Sequence, residues 1–68
     1  MKITVKWKSE VERRRRKRRA LDLTLIYVAA KIGVSESTLH RYERGSSRPT
    51  PEADAAWALA LERASKAS

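Results

Sequence analysis

An all-α domain of four helices, led in by one short β-strand, is the fold that this sequence predicts, and three observations carry the prediction. Apolar residues recur at helical spacing in three separate stretches, 25–32, 36–44 and 51–64. Residues that start and stop helices bracket those stretches: Thr24 and Gly33 around the first, Ser35 and Gly45 around the second, Thr50 and Pro51 at the head of the third. Residues 2–8 instead alternate with period two, the pattern of a half-buried strand.

From the N-terminus, Ile3, Val5 and Trp7 fall on one face of that strand and Lys2, Thr4, Lys6 and Lys8 on the other. Ser9-Glu10-Val11-Glu12 then matches a capping box, so helix 1 is expected over 10–20. Helix 2, over 25–32, is capped by Thr24, carries Leu25, Val28, Ala29 and Ile32 as an inner stripe, and stops at Gly33. Helix 3, over 36–44, is capped by Ser35, turns Leu39 and Tyr42 inward, and stops at Gly45. Ser46 to Thr50 is loop chemistry. Helix 4, over 51–64, has Pro51 in its first turn and presents Trp57, Ala60, Leu61 and Ala64 to the core. Residues 1–68 therefore read as a single domain, with 1–9 as strand or arm, 10–64 as helical core and 65–68 as a tail.

A chain of 68 residues buries only about 60% of its unfolded surface, so small domains often need a further staple. Cysteine is absent and His40 is the only histidine, which removes disulfides and thiolate metal sites from consideration. No cofactor or metal is expected, and no grouping of side chains has the spacing of a catalytic site. A second subunit is the remaining aid. No apolar run approaches the ~18 residues of a membrane span, and Met1 to Trp7 lacks a signal-peptide core. The expectation is a soluble cytoplasmic protein associated with the nucleoid.

The net charge of +8 is confined to one end. Residues 1–19 hold ten basic and two acidic side chains, while residues 20–68 hold six of each. Such asymmetry points to a polyanionic partner, although a block of like charges is often only a solvated tail. Here the block begins with helix-start chemistry and runs into apolar residues. Of the uses open to Arg13–Arg16 and their neighbours, phosphate contact is favoured, with Arg14 and Arg15 as candidates.

Helices 2 and 3, joined by the tight turn Gly33-Val34-Ser35, make a helix-turn-helix. With Leu39 and Tyr42 turned inward, Glu36, Ser37, His40, Arg41 and Arg44 must lie on the opposite, exposed face. A B-DNA major groove admits a helix of this width, whose first turns then meet base edges. Arg41 has the donor pair that guanine O6 and N7 accept, and Glu36 has an acceptor for cytosine N4. Each also has a plainer use, Arg41 as a phosphate contact and Glu36 as a favourable first-turn charge. His40 shares the face as a candidate base contact, with phosphate or water as its other partners. Ser35 is a candidate phosphate contact besides being a cap. Trp57 and Tyr42 read as core before they read as stacking platforms.

Leu23-Thr24, Val28-Ala29, Ile32-Gly33-Val34-Ser35, Thr38-Leu39, Tyr42-Glu43-Arg44-Gly45 and Arg48-Pro49 together resemble the phage repressor and Cro class of helix-turn-helix proteins, with a lambda repressor-like fold. The resemblance spans about Arg18 to Leu61. It implies that Glu36, Ser37 and Arg41 approach bases, and that Thr24, Arg44 and the Ser46-Ser47-Arg48 loop approach phosphates. It also implies an ion pair between Arg18 and a partly buried Glu43. Four features depart from the family pattern. Leu25, Ile26 and Tyr27 stand at positions usually polar, leaving helix 2 with surplus apolar surface. Arg14 and Lys17 stand where helix 1 usually offers aliphatic side chains. Asp22 replaces the usual glycine, which is tolerable because Asp enters the left-handed region more readily than most residues. The fifth helix common in the family has no room before Ser68.

The function expected is sequence-specific binding of double-stranded DNA by a transcriptional regulator of the repressor type. It would act as a homodimer on an inverted repeat with half-sites about 34 Å apart. The strand at 2–8 and helix 4 are the two candidate dimer surfaces. Three rivals share the features: an antitoxin or adaptor that binds a protein partner and uses DNA for autoregulation, an RNA binder working through residues 13–19, and a ribbon-helix-helix reader using Lys2, Thr4 and Lys6.

Overall fold

In the computed structural model, which describes residues 6–67, the chain forms four helices: α1 Lys6–Ala20, α2 Leu25–Ile32, α3 Glu36–Glu43 and α4 Pro51–Ala67. Among the described residues there is no β-strand, and this corrects the expectation of one over 2–8. Lys6, Trp7 and Lys8 belong to the first turns of α1; residues 2–5 lie outside the described residues. The physical reason is the placement of Trp7. On a helix, Trp7, Val11, Arg14 and Arg18 share one face, and Trp7 thereby packs against the same core cluster that Val11 enters. A lone strand would find no neighbouring strand to satisfy its backbone. The capping box expected at Ser9 is likewise not used, because Ser9 is interior to α1, and the Glu12 carboxylate instead accepts from Arg16 at 2.8 Å.

The other boundaries follow local chemistry. The Thr24 hydroxyl accepts from the Tyr27 amide, the Ser35 hydroxyl from the Thr38 amide and the Thr50 hydroxyl from the Ala53 amide, each at 3.1 Å. Gly33 and Gly45 take left-handed conformations, with φ of 77° and 75°, and release the chain from α2 and α3. Asp22 does the same after α1 at φ 59°. α4 runs to Ala67, past the expected end at 64, because the alanine-rich Ala64-Ser65-Lys66-Ala67 contains no glycine or proline to stop it.

α1 and α2 each pack across both α3 and α4. The core joins Val28, Ala29 and Ile32 of α2, Leu39 and Tyr42 of α3, and Ala53, Trp57 and Leu61 of α4. Leu39 and Trp57 are fully enclosed, and the Tyr42 and Trp57 rings meet with centroids 6.5 Å apart. Burying a side chain of this kind stabilises the fold by roughly 1.5–3 kcal/mol. α1 contributes only Val11 as a buried apolar residue. The rest of its docking comes from half-buried Trp7 against the same cluster and from Arg14 and Arg18.

Candidate nucleic-acid interface

The rotation of α3 is set from inside. Leu39, Tyr42 and Glu43 are buried, the last because Arg18 of α1 grips it. Arg18 Nε donates to one Glu43 carboxylate oxygen at 2.7 Å and Nη2 to the other at 3.0 Å, while Nη1 donates to the Leu23 carbonyl at 2.7 Å. A fork of this kind fixes direction as well as distance, so it registers α3 against α1 and against the start of the α2 segment together.

Opposite that anchored face, Glu36, Ser37, His40, Arg41 and Arg44 are all exposed. They form one polar surface with donors, an acceptor and two guanidinium groups, and no described side-chain hydrogen bond or ion pair within the protein engages Arg41 or Arg44. Arg44 follows the last turn of α3, its amide donating to the His40 carbonyl at 3.0 Å. Gly45 then turns the chain, and the Ser46 amide donates back to the Arg41 carbonyl at 3.0 Å.

The remaining candidates are placed unevenly. Thr24 is exposed at the head of α2, where its hydroxyl oxygen already accepts from Tyr27 and retains its proton for an outside acceptor. Ser35 is more fully used, since it also exchanges a 2.8 Å hydrogen bond with the Thr38 hydroxyl. Ser46 and Arg48 are exposed and Ser47 partly so. Arg48, however, lines a cleft with Trp7, Glu10 and Asp54, on the side of the loop that faces α1 and the head of α4.

The two arginines singled out in helix 1 differ. Arg14 pairs with the Asp54 carboxylate and lies with its guanidinium carbon 5.5 Å from the centre of the Trp57 ring. It occupies the position where an aliphatic residue would dock α1, and uses stacking and charge for the same task. Arg15 lies on the α3 side, with Nε buried and without a protein acceptor, at a cavity of about 230 Å³ that Lys8, Arg44 and Gly45 also line. The sequence does not show Lys8 beside Arg15, because a strand reading separates the two. On a helix the two are seven residues apart and share a face. Among the described residues no His, Cys, Asp or Glu side chains gather as a metal site, and no helix is long and apolar enough to cross a membrane.

No curated protein and no solved structure matches this chain. A family model described as helix-turn-helix, of the Cro and C1 repressor type, does match it, over residues 13–63. That span begins inside α1, takes in the whole of α2 and α3 and reaches into the last turns of α4, so the chain belongs to this family of DNA-binding helix-turn-helix regulators.

Proposed function

We propose that the protein binds double-stranded DNA sequence-specifically and acts as a transcriptional repressor, with α3 in the major groove and two copies on an inverted repeat. The observation that carries this reading is the division of α3 into a buried face of Leu39, Tyr42 and Glu43 and an exposed face of Glu36, Ser37, His40, Arg41 and Arg44. Arg41 reads a guanine edge with two parallel donors, and Ser37 and Glu36 sit at the end of the helix that enters first. His40 contributes at the groove wall. Thr24, Arg44, Ser46 and Ser47 hold phosphates, joined from α1 by Arg15 and Lys8. Arg14 is left out of this set because Asp54 and Trp57 already engage it, and Ser35 serves chiefly as the cap of α3.

The test is selection of binding sites from random duplexes at a fixed salt concentration, followed by the same selection with Arg41→Ala. The expected result is a short inverted repeat with half-site centres about 34 Å apart, and loss of preference at one base pair per half-site in the variant, worth about 1–3 kcal/mol of discrimination. Binding with no enriched sequence, or an unchanged preference in Arg41→Ala, overturns the reading. A ribbon-helix-helix reader would need Lys6 on a strand, whereas it lies on α1.

A further inference from the structure

Between α2 and α4 runs a cleft of about 300 Å³ lined by Tyr27, Leu59, Ala60 and Ala64 together with Lys31 and Arg63. Tyr27 and Leu59 are large apolar residues left 46% and 45% exposed. Trp7 does not cover this surface and packs elsewhere, beside Pro49, Pro51 and Asp54. The cleft is therefore open, and the charges around Leu59 indicate what fits it.

Exposed Glu52 lies seven residues before Leu59 on α4, and exposed Lys66 lies seven residues after it. Seven residues are nearly two helical turns, so the three share one stripe, acidic at its head and basic at its tail. A second α4 running parallel would set Glu52 on Glu52 and Lys66 on Lys66. One running antiparallel about a twofold axis at Leu59 sets each Glu52 against Lys66 of the other copy, at both ends of the contact. The surplus of +8 belongs to residues 1–19, whereas α4 has three acidic and two basic side chains and does not repel a copy of itself strongly.

We infer that the chain self-associates through α4, antiparallel and centred on Leu59, with Tyr27 and the α2–α4 cleft receiving Leu59 of the second copy and two Glu52–Lys66 pairs fixing the register. This inference rests on the dimeric reading of DNA binding and names the surface that makes the dimer. The Glu62–Lys66 contact within one helix, at 3.2 Å between two exposed side chains, is exchanged for the pair between copies.

The experiment is sedimentation equilibrium of the full chain without DNA, for wild type, Glu52→Lys, Lys66→Glu and the double charge swap. Wild type is expected to dimerise. Each single variant turns two attractive pairs into two repulsive ones and weakens the dimer about tenfold or more. The double swap restores it. That restoration cannot come from α4 alone, because a basic residue at its head and an acidic one at its tail both oppose the helix dipole and add their damage. A fourth variant, Leu59→Ser, is expected to be monomeric with an unchanged helical circular dichroism spectrum. A monomeric wild type, including one that pairs only with a foreign acidic helix, overturns the inference, as do single variants that dimerise like wild type or a double swap no better than the singles. If self-association fails in this way while the selected duplex is still bound with preference, the surface is wrong and the DNA reading stands.

Discussion

α1 and α4 are both long helices, and they are held in the fold by different forces. α4 brings Ala53, Trp57 and Leu61 into the core, whereas α1 buries Val11, lays half-buried Trp7 against the cluster and docks otherwise through Arg14 and Arg18. Apolar burial is non-directional and tolerates small shifts. A forked guanidinium on a carboxylate tolerates almost none, so the ionic contact is the one that sets register. The helix with the greatest surplus of charge is thus joined to α3 by a strongly direction-dependent bond. The residue type that positions α1, arginine, is also the one that gives it most of its charge.

The contrast can be broken most severely from the apolar side. Trp57→Ala removes the central side chain of the core and the ring on which Arg14 stacks, and a loss of about 3–5 kcal/mol is expected in urea unfolding followed by circular dichroism. A loss below about 1 kcal/mol would mean that the core does not depend on this ring. Next comes the ionic side: Glu43→Ala strands the buried Arg18 guanidinium and costs about 3–5 kcal/mol, whereas Arg18→Met combined with Glu43→Leu recovers most of that loss. A double variant as unstable as the single one would show that packing, not an uncompensated charge, is what the single change damages. Smallest are the pairs nearer the surface. Asp54→Ala, with a carboxylate 42% exposed, costs at most about 1 kcal/mol, and Arg16→Ala at most about 0.5 kcal/mol. Salt at 1 M should erase both of these and leave the Arg18–Glu43 contribution largely intact, which melting curves at two ionic strengths will separate.

The same contrast explains what the sequence discloses. α2 and α3 are legible residue by residue because Thr24, Ser35, Gly33 and Gly45 are local signals acting on their own backbone, and the start of α4 is written in Thr50 and Pro51 in the same way. The exposed face of α3 follows from Leu39 and Tyr42 by helical geometry alone. α1 is different, since its start depends on where Trp7 finds its cover, and seven alternating residues do not reveal that. Nor does sequence show that Arg14 meets Asp54 and Trp57, about forty residues on. Local chemistry can be read in one dimension; a charged helix that docks through distant partners cannot.

The two tryptophans sit at opposite ends of this division, and they give the protein an optical signal of its own. Trp57 is fully buried, with the Arg14 guanidinium over its ring, while Trp7 occupies the half-covered opening turn of α1 with the Lys8 ammonium 5.6 Å from its ring. Their fluorescence therefore falls into a blue component shielded from iodide and a redder one open to it. Fraying at the front of the molecule changes only the second, and cooperative melting changes both, so a single spectrum tells the two events apart without any label.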